Sequence, residues 1–269
     1  MGLRDHRFIV IDTETTGQDT TYDRPIEVAA VEWRNGKPHD LKSWLLDPLI
    51  PIHPAASAVH GLSDLDVQGK ETLADIDAEL QAFVGDSTLV AHNAPFDYAM
   101  LPSLQDRLWI DSLRLVRHQW ILGTPNRNGH ELGSHKQQEI RYWLGLQIDT
   151  AGLMAHRAAA DILVTGELLQ LSIDHYLENG HEDSLEAYKA FAESPVKWPR
   201  MPWGVHKNKA FTDLPSKFIS FQLEKFENGE GDADLALILL EEQARRITEA
   251  NTGGAHSLFK RKQPKGLGA

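Results

Sequence analysis

The chain has 269 residues, of which 41% are hydrophobic and 25% are charged, a composition typical of a globular protein with one substantial domain and a smaller one. Its formal net charge of -12 excludes a protein that coats nucleic acid non-specifically, but not an enzyme that grips it locally. Without cysteine, disulfides and cysteine-ligated zinc are excluded. There is no apolar run of about 18 residues and no signal-peptide core, so we expect a cytoplasmic protein that does not bind a membrane.

The first half of the chain alternates between strand and helix patterns. Residues 8–11 are four apolar residues in a row, which predicts a strand buried on both faces. Strands over 25–33 and 41–46 follow, and Asn35-Gly36 between them predicts a hairpin, so the sheet should open antiparallel. The pattern then predicts short strands over 89–93 and 109–111, and helices over 72–83, 93–104, 113–122, 137–144 and 157–176. An α/β domain with a mixed five-stranded sheet flanked by helices is therefore expected.

The second half differs in composition. We expect the first domain to cover residues 1–176 and an acidic, partly helical connector to follow at 177–194. A small C-terminal module, helical or α+β, is predicted over 195–250, because its first part is rich in aromatic residues and holds six basic against three acidic residues. Two helices are expected there, over 216–226 and 232–250. The remaining residues, 251–269, have little to bury and are expected to form a disordered basic tail.

Two carboxylates stand at the end of the first predicted strand. Asp12 and Glu14 are two residues apart, so their side chains should point to the same face. Like charges held that close repel each other, and a cation with oxygen ligands, such as Mg²⁺ or Mn²⁺, would relieve the repulsion. The plainer alternative is a pair of carboxylates in a solvated turn.

Further ionisable residues are expected at the same edge of the sheet. Asp97 follows the strand that ends at His92-Asn93, and ligand sites in open α/β sheets lie at the carboxyl ends of strands. His156 and Asp161 are five residues apart at the start of a predicted helix. Four carboxylates and one histidine suit a site for two metal ions about 3.5–4 Å apart, where one ion activates water and the other stabilises the leaving oxygen.

Four motifs then occur in order: Asp12-x-Glu14-Thr15-Thr16-Gly17, Val59-His60-Gly61, His92-Asn93-Ala-x-Phe96-Asp97 and His156-x4-Asp161. Together they resemble the DEDDh (DnaQ-like) family of 3′→5′ exonucleases, which have a ribonuclease H-like fold. The resemblance covers roughly residues 7–176, and every catalytic position of the family is matched.

The resemblance implies a role for each matched residue. Asp12, Glu14, Asp97 and Asp161 would hold two Mg²⁺ or Mn²⁺ ions, and His156 would act as general base on the attacking water. The product would be a 5′-nucleoside monophosphate. The backbone of Thr15, Thr16 and Gly17 would approach the terminal nucleotide, and His60, Asn93 and Phe96 would line its pocket. His92 is expected to be structural.

The C-terminal module carries a narrower resemblance. Arg200-Met201-Pro202-Trp203-Gly204, Lys207, Lys209 and Asp213-Leu214-Pro215 are similar to a module of exodeoxyribonuclease X-like proteins, with Trp203 in place of the usual Phe. Trp203, Lys207 and Lys209 could contact a base and phosphates. They could equally be a solvated face over a packed tryptophan.

The leading hypothesis is a metal-dependent exodeoxyribonuclease acting on single- or double-stranded DNA 3′ ends, in repair or turnover. Three alternatives stay open: an enzyme that trims RNA 3′ ends, a proofreading subunit held by a DNA polymerase, and a catalytically idle nucleic-acid-binding module. Residues 222–226 and 257–259 resemble motifs that bind the bacterial sliding clamp. A homodimer is also left open, because the family often dimerises.

Overall fold

The structure, a computed structural model, describes residues 2–149 and 157–260, with side chains up to residue 250. Five strands form one sheet in the order β3-β2-β1-β4-β5. The strands are β1 (Phe8–Thr15), β2 (Pro25–Arg34), β3 (Lys37–Leu45), β4 (Thr88–Ala91) and β5 (Trp109–Asp111). β2 is antiparallel to both β1 and β3, whereas β4 is parallel to both β1 and β5. The predicted fold class, an α/β domain with a mixed five-stranded sheet, is confirmed.

The turn between β2 and β3 follows from its two residues. Asn35 and Gly36 have φ angles of +54° and +74°, which are the left-handed values that a two-residue hairpin needs and that asparagine and glycine tolerate. The predicted hairpin is therefore confirmed, and β3 begins directly after it at Lys37.

The helices of the described residues are α1 (Pro54–His60), α2 (Asp64–Val67), α3 (Leu73–Val84), α4 (Ala94–Met100), α5 (Ser112–Gln119), α6 (Gln137–Leu144), α7 (Ala158–Glu178), α8 (Leu185–Glu193), α9 (Ser216–Glu227) and α10 (Ala233–Lys260). The sequence analysis did not predict α1 and α2. Both have seven residues or fewer, which is too short for a helical period to show.

The strand β1 is the centre of the core. Phe8 and Val10 pack on the side of the sheet that carries α7, while Ile9 and Ile11 pack on the side that carries α3. All four side chains are at most 1% exposed. This explains the uninterrupted apolar run, since a strand covered on both faces has no solvent side to mark with polar residues. The pairing of β1 with β2 shifts register between Glu14 and Thr15.

The long helix α7 approaches the sheet closely at one glycine. A Cβ atom placed on Gly166 would lie 2.2 Å from the ring of Trp33, which is itself only 2% exposed. Glycine at this position therefore lets α7 lie against β2. Because α7 also carries Asp161, this approach helps to set where that carboxylate lies relative to the sheet.

The segment 177–194, expected to be a connector, differs in the structure. It holds the end of α7 and the whole of α8, whose Tyr188 is fully buried and donates a hydrogen bond from its hydroxyl to Ser172 Oγ at 2.8 Å. The spacing of Tyr188 and Ala192, one turn apart, is that of a helix face packed on the core. The chain divides into two compact units, Met1–Ser194 and Pro195–Ala269.

The second unit is built on α9 and α10, which pack through Ile219, Leu223, Leu235 and Leu239. Arg246 on α10 donates to the carbonyl oxygens of Phe211, Thr212 and Leu214. α10 continues to Lys260 and so overlaps the expected tail, while residues 261–269 lie outside the described part. No helix within the described ranges is long and apolar enough to cross a membrane.

We expect Gly166→Ala to destabilise the protein by about 1–3 kcal/mol, because the added methyl group overlaps the Trp33 ring and overpacking exceeds the gain in helix propensity. Thermal or urea unfolding measures this loss. In a Trp33→Leu background, which removes the ring, the same substitution should cost little or nothing. An equal cost in both backgrounds would contradict the assigned contact.

Candidate active site

Three carboxylates meet at the end of β1. Asp12 and Glu14 are two residues apart on this strand, so both side chains lie on the same face. Asp161 reaches them from the first turn of α7. One oxygen of each lies within 4.8 Å of the others. The sequence predicted this meeting for Asp12 and Glu14 from their spacing, and for Asp161 from its place at the start of a helix.

Asp97, in the first turn of α4, lies next to this cluster. It is 3% exposed, and Thr13 on β1 donates to its Oδ1 at 2.8 Å. The pKa of Asp12 lies well above its ordinary value. Burial is the largest cause, and the negative charge of Asp97 is the second. The structure thus brings three predicted carboxylates within 4.8 Å of one another and places Asp97 beside them.

Burial, and for Asp12 and Glu14 the charges of neighbouring carboxylates, shift the pKa values of Asp12, Glu14 and Asp97 upward. Burial first, and then the charges of Asp161 and Glu27, raise the pKa of Glu14 to about 8. Burial raises the pKa of Asp97 to about 7, although the Thr13 hydrogen bond opposes the shift. Such a group of carboxylates holds protons near neutral pH unless a cation replaces them. Oxygen ligands of this kind suit Mg²⁺ or Mn²⁺.

Two glutamines of α6 hold Asp161 in place. Gln138 Nε2 donates to Asp161 Oδ1 at 2.6 Å, and Gln137 Nε2 donates to the Asp161 carbonyl oxygen at 2.8 Å. Gln137 also donates to Thr165 Oγ1 at 2.6 Å. The sequence analysis predicted the helix but assigned these residues no role, since glutamine on a helix is most often solvated.

A buried ion pair beside the cluster was also missed. Glu27 on β2 is 2% exposed and pairs with Arg157, whose Nε lies 2.8 Å from Glu27 Oε2. The sequence does contain a signal for it: Glu27 is a charged residue inside the apolar run 25–31, where an unpaired charge would be costly.

A pocket of about 620 Å³ opens beside Glu14. Its lining includes four residues predicted to contact substrate: Thr15, Gly17, His60 and Phe96. His60 is 4% exposed, and its Nδ1 accepts the Leu62 N–H at 3.1 Å. Burial lowers the pKa of His60, so its ring is neutral at pH 7.

Two predicted substrate residues are not part of this lining. Thr16 is fully buried and donates from its hydroxyl to Asp23 Oδ1 at 2.7 Å, which fixes the loop between β1 and β2. Asn93 is exposed with φ +79°, and its N–H donates to Asp111 Oδ1 at 3.0 Å. The expected structural role of His92 fits its contacts with Ser112 Oγ and the His135 carbonyl oxygen, both at 3.0 Å.

The remaining predicted residues lie elsewhere. His156 falls outside the described residues. Trp203, Lys207 and Lys209 belong to the second unit and are exposed there. The Trp203 ring packs edge-on against the buried Trp198, with ring centroids 5.6 Å apart. This arrangement leaves both predicted alternatives, a nucleic-acid contact and a solvated face, open for Lys207 and Lys209.

Comparison with known proteins places this geometry in context. A family model described as Exonuclease (RNase_T) matches residues 9–169. Exodeoxyribonuclease 10 of Escherichia coli K12 is 29% identical over 77% of this chain and 85% of its own length. The PolC-type DNA polymerase III of Halalkalibacterium halodurans is 32% identical over 62% of this chain. This chain spans only about 11% of the length of that polymerase.

Solved structures give the same picture. A structure of Exonuclease X in complex with 5′-overhanging duplex DNA is 28% identical and aligns with a TM-score of 0.54, covering 69% of this chain and 99% of that one. E. coli Exonuclease I in complex with a dT13 oligonucleotide aligns with a TM-score of 0.54 at 18% identity, over 65% of this chain and 42% of that one. The second likeness concerns the fold alone.

We expect Mg²⁺ to stabilise the protein more at about pH 9 than at about pH 5. Glu14 keeps its proton in the folded, metal-free state up to about pH 8 but loses it in the unfolded state near its ordinary value of 4.5. Without metal its contribution to stability therefore falls as the pH rises through this window. Mg²⁺ binds the ionised carboxylates, so its stabilising effect should grow across the same window.

The measurement is the rise in melting temperature on adding Mg²⁺ at a series of pH values. Asp12→Asn should abolish most of the rise. Asp106→Asn, at an exposed aspartate paired only with the neighbouring Arg107, is the matched control and should leave it intact. A rise that does not depend on pH would contradict the assignment of the cluster as the metal ligands.

Proposed function

Because this chain belongs to the RNase_T family of exonucleases, we propose that it is a divalent-metal-dependent 3′→5′ exodeoxyribonuclease that releases 5′-nucleoside monophosphates. The observation that carries the proposal is the meeting of Asp12, Glu14 and Asp161 within 4.8 Å at the end of β1. A role on DNA is supported by Exodeoxyribonuclease 10, to which 77% of this chain is similar.

The four carboxylates would hold two Mg²⁺ or Mn²⁺ ions. The fit rests on their chemistry: all four supply oxygen ligands, and burial, followed by nearby negative charges, raises the pKa values of Asp12, Glu14 and Asp97. When bound, the ions would lower the pKa of a water molecule and offset charge on the phosphate. Thr13, Gln138 and Gln137 keep Asp97 and Asp161 in position for this task.

The proton of the attacking water would go to His156, as the family resemblance implies. An imidazole titrates near neutral pH and can take this proton at pH 7. In the sequence this proposed base directly precedes Arg157, the N-cap residue of α7.

The pocket beside Glu14 would receive the 3′-terminal nucleotide. Phe96 offers an aromatic face on which any base can stack, which suits an enzyme that removes nucleotides of every sequence. His60 belongs to the same lining and would border this nucleotide. Asp19 and Asp23 in the lining disfavour phosphate there, so a base or sugar fits this part of the pocket better.

The experiment is release of 5′-mononucleotides by the full chain from 3′-labelled DNA and RNA of one sequence, with Mg²⁺, with Mn²⁺ and with a chelator. We expect metal-dependent release from DNA that Asp12→Asn abolishes and that His156→Ala reduces by about 10²- to 10⁴-fold. Asp106→Asn should be fully active. Faster release from RNA would overturn the substrate, and no release from either would overturn the enzyme.

Phe96→Ala should lower kcat/KM on DNA by roughly 5- to 150-fold, since stacking on one aromatic side chain contributes about 1–3 kcal/mol per base. The matched control is Tyr98→Ala on the same helix, because Tyr98 lines a different pocket with Trp109. Steady-state kinetics on a short oligonucleotide measures both. A larger loss from Tyr98→Ala would place the nucleotide on the other side of α4.

A further inference from the structure

The Glu27–Arg157 ion pair lies beside the carboxylate cluster without belonging to it. Arg157 donates to Glu27 twice, from Nε to Oε2 at 2.8 Å and from Nη2 to Oε1 at 3.2 Å. Ser43 Oγ adds a third hydrogen bond to Oε1 at 3.0 Å. In the register of β1 and β2, Glu27 stands directly opposite Glu14.

This placement is unfavourable if the pair serves only to hold the fold together. Like charges directly opposite each other on neighbouring strands are destabilising. Apolar residues of similar volume often replace a buried ion pair at no cost in stability. The 2% exposure of Glu27 and its position opposite Glu14 therefore point to a task connected with the cluster itself.

The other end of the pair shows what that task is. Arg157 is the N-cap residue of α7, and Asp161 follows four residues later, in the first turn. A planar guanidinium bound at two points fixes both the position and the direction of the backbone that carries it. Glu27 in turn belongs to β2, which is paired with the strand that carries Asp12 and Glu14.

We propose that Glu27 and Arg157 are a positioning pair that fixes the first turn of α7 against the sheet, so that Asp161 meets Asp12 and Glu14 at metal-binding distance. Neither residue contacts metal or DNA in this role; both act through Asp161. The inference rests on the proposed function in one respect, namely that the cluster binds divalent metal.

Metal binding by the full chain tests the pair without relying on activity. Glu27→Gln keeps the shape of the side chain but removes the charge that binds the Arg157 guanidinium at two points, so the first turn of α7 and Asp161 are held less firmly. We expect the affinity for Mn²⁺, measured by titration calorimetry or electron paramagnetic resonance, to fall about 10- to 100-fold, as it does when groups that orient metal ligands are lost.

A second variant separates geometry from charge. Arg157→Lys keeps the positive charge but cannot make the two-point contact, so positioning predicts a weaker but clear loss of Mn²⁺ affinity. Wild-type affinity in Arg157→Lys would overturn the positioning role, because charge alone would then suffice.

The matched control is Glu32→Gln on the same strand. Glu32 is also largely buried and pairs with Arg7, whose Nε lies 2.7 Å away, and with Arg34 at 3.3 Å. The other hydrogen bonds of Arg7 that the described residues show go to Phe83, Val84 and Ser87, which do not belong to α7. Glu32→Gln should lower the melting temperature and leave Mn²⁺ affinity unchanged. Equal losses of affinity in both glutamine variants would reduce the pair to a general role in stability and overturn the proposal.

The outcomes separate this inference from the proposed function. A wild-type chain that binds Mn²⁺ but releases no nucleotide from DNA would contradict the proposed exonuclease activity but not the positioning role of Glu27 and Arg157. Wild-type Mn²⁺ affinity in Glu27→Gln would overturn the pair and leave the function standing. A wild-type chain that binds no Mn²⁺ would overturn both.

Discussion

Repulsion among buried carboxylates is the constraint on which the site depends. Asp97 and Asp161 are buried and Asp12 and Glu14 are partly buried, so water screens their charges poorly. After burial, the charges of Asp97 and Asp161 help to raise the pKa values of Asp12 and Glu14. Without a compensating positive charge, such a group of carboxylates would stay protonated or destabilise the folded state. The neutral donors Thr13 and Gln138 hold one oxygen each of Asp97 and Asp161 in place but add no positive charge to the cluster. A divalent cation would supply that charge.

The four carboxylates come from three elements, β1, α4 and α7, and the sheet brings these elements together. β1 contributes two because a strand presents alternate residues on one side. α4 follows β4, which runs parallel to β1, so its first turn begins at the same edge. α7 carries Asp161 in its first turn and approaches β2 closely at Gly166. The antiparallel β2 then gives Glu27 a place from which to reach the same helix.

The sequence predicted the parts of this site that depend on local pattern. The buried strand, the hairpin at Asn35-Gly36 and the shared side of Asp12 and Glu14 follow from short-range rules. Asp97 and Asp161 were predicted from their places after a strand and at the start of a helix, and the family resemblance gave them their roles. What it missed depends on distant contacts. Glu27 and Arg157 are 130 residues apart, and Gln138 reaches Asp161 from another helix. The burial of α8 likewise comes from tertiary packing, which an acidic stretch of sequence does not reveal.

The register shift of β1 after Glu14 has a consequence for how such sites vary among relatives. From Phe8 to Glu14 the residues of β1 pair one by one with successive residues of β2. The register then shifts, and Thr15 pairs with Pro25. Inserting or deleting a single residue between Asp12 and Glu14 would send one carboxylate to the opposite face and dismantle the cluster in one step. Changes of length after Thr15, by contrast, fall in the loop between β1 and β2, whose two ends are joined by the hydrogen bond from Thr16 to Asp23. The loop can therefore change in length as substrates change, while the two-residue spacing of the acids must be kept.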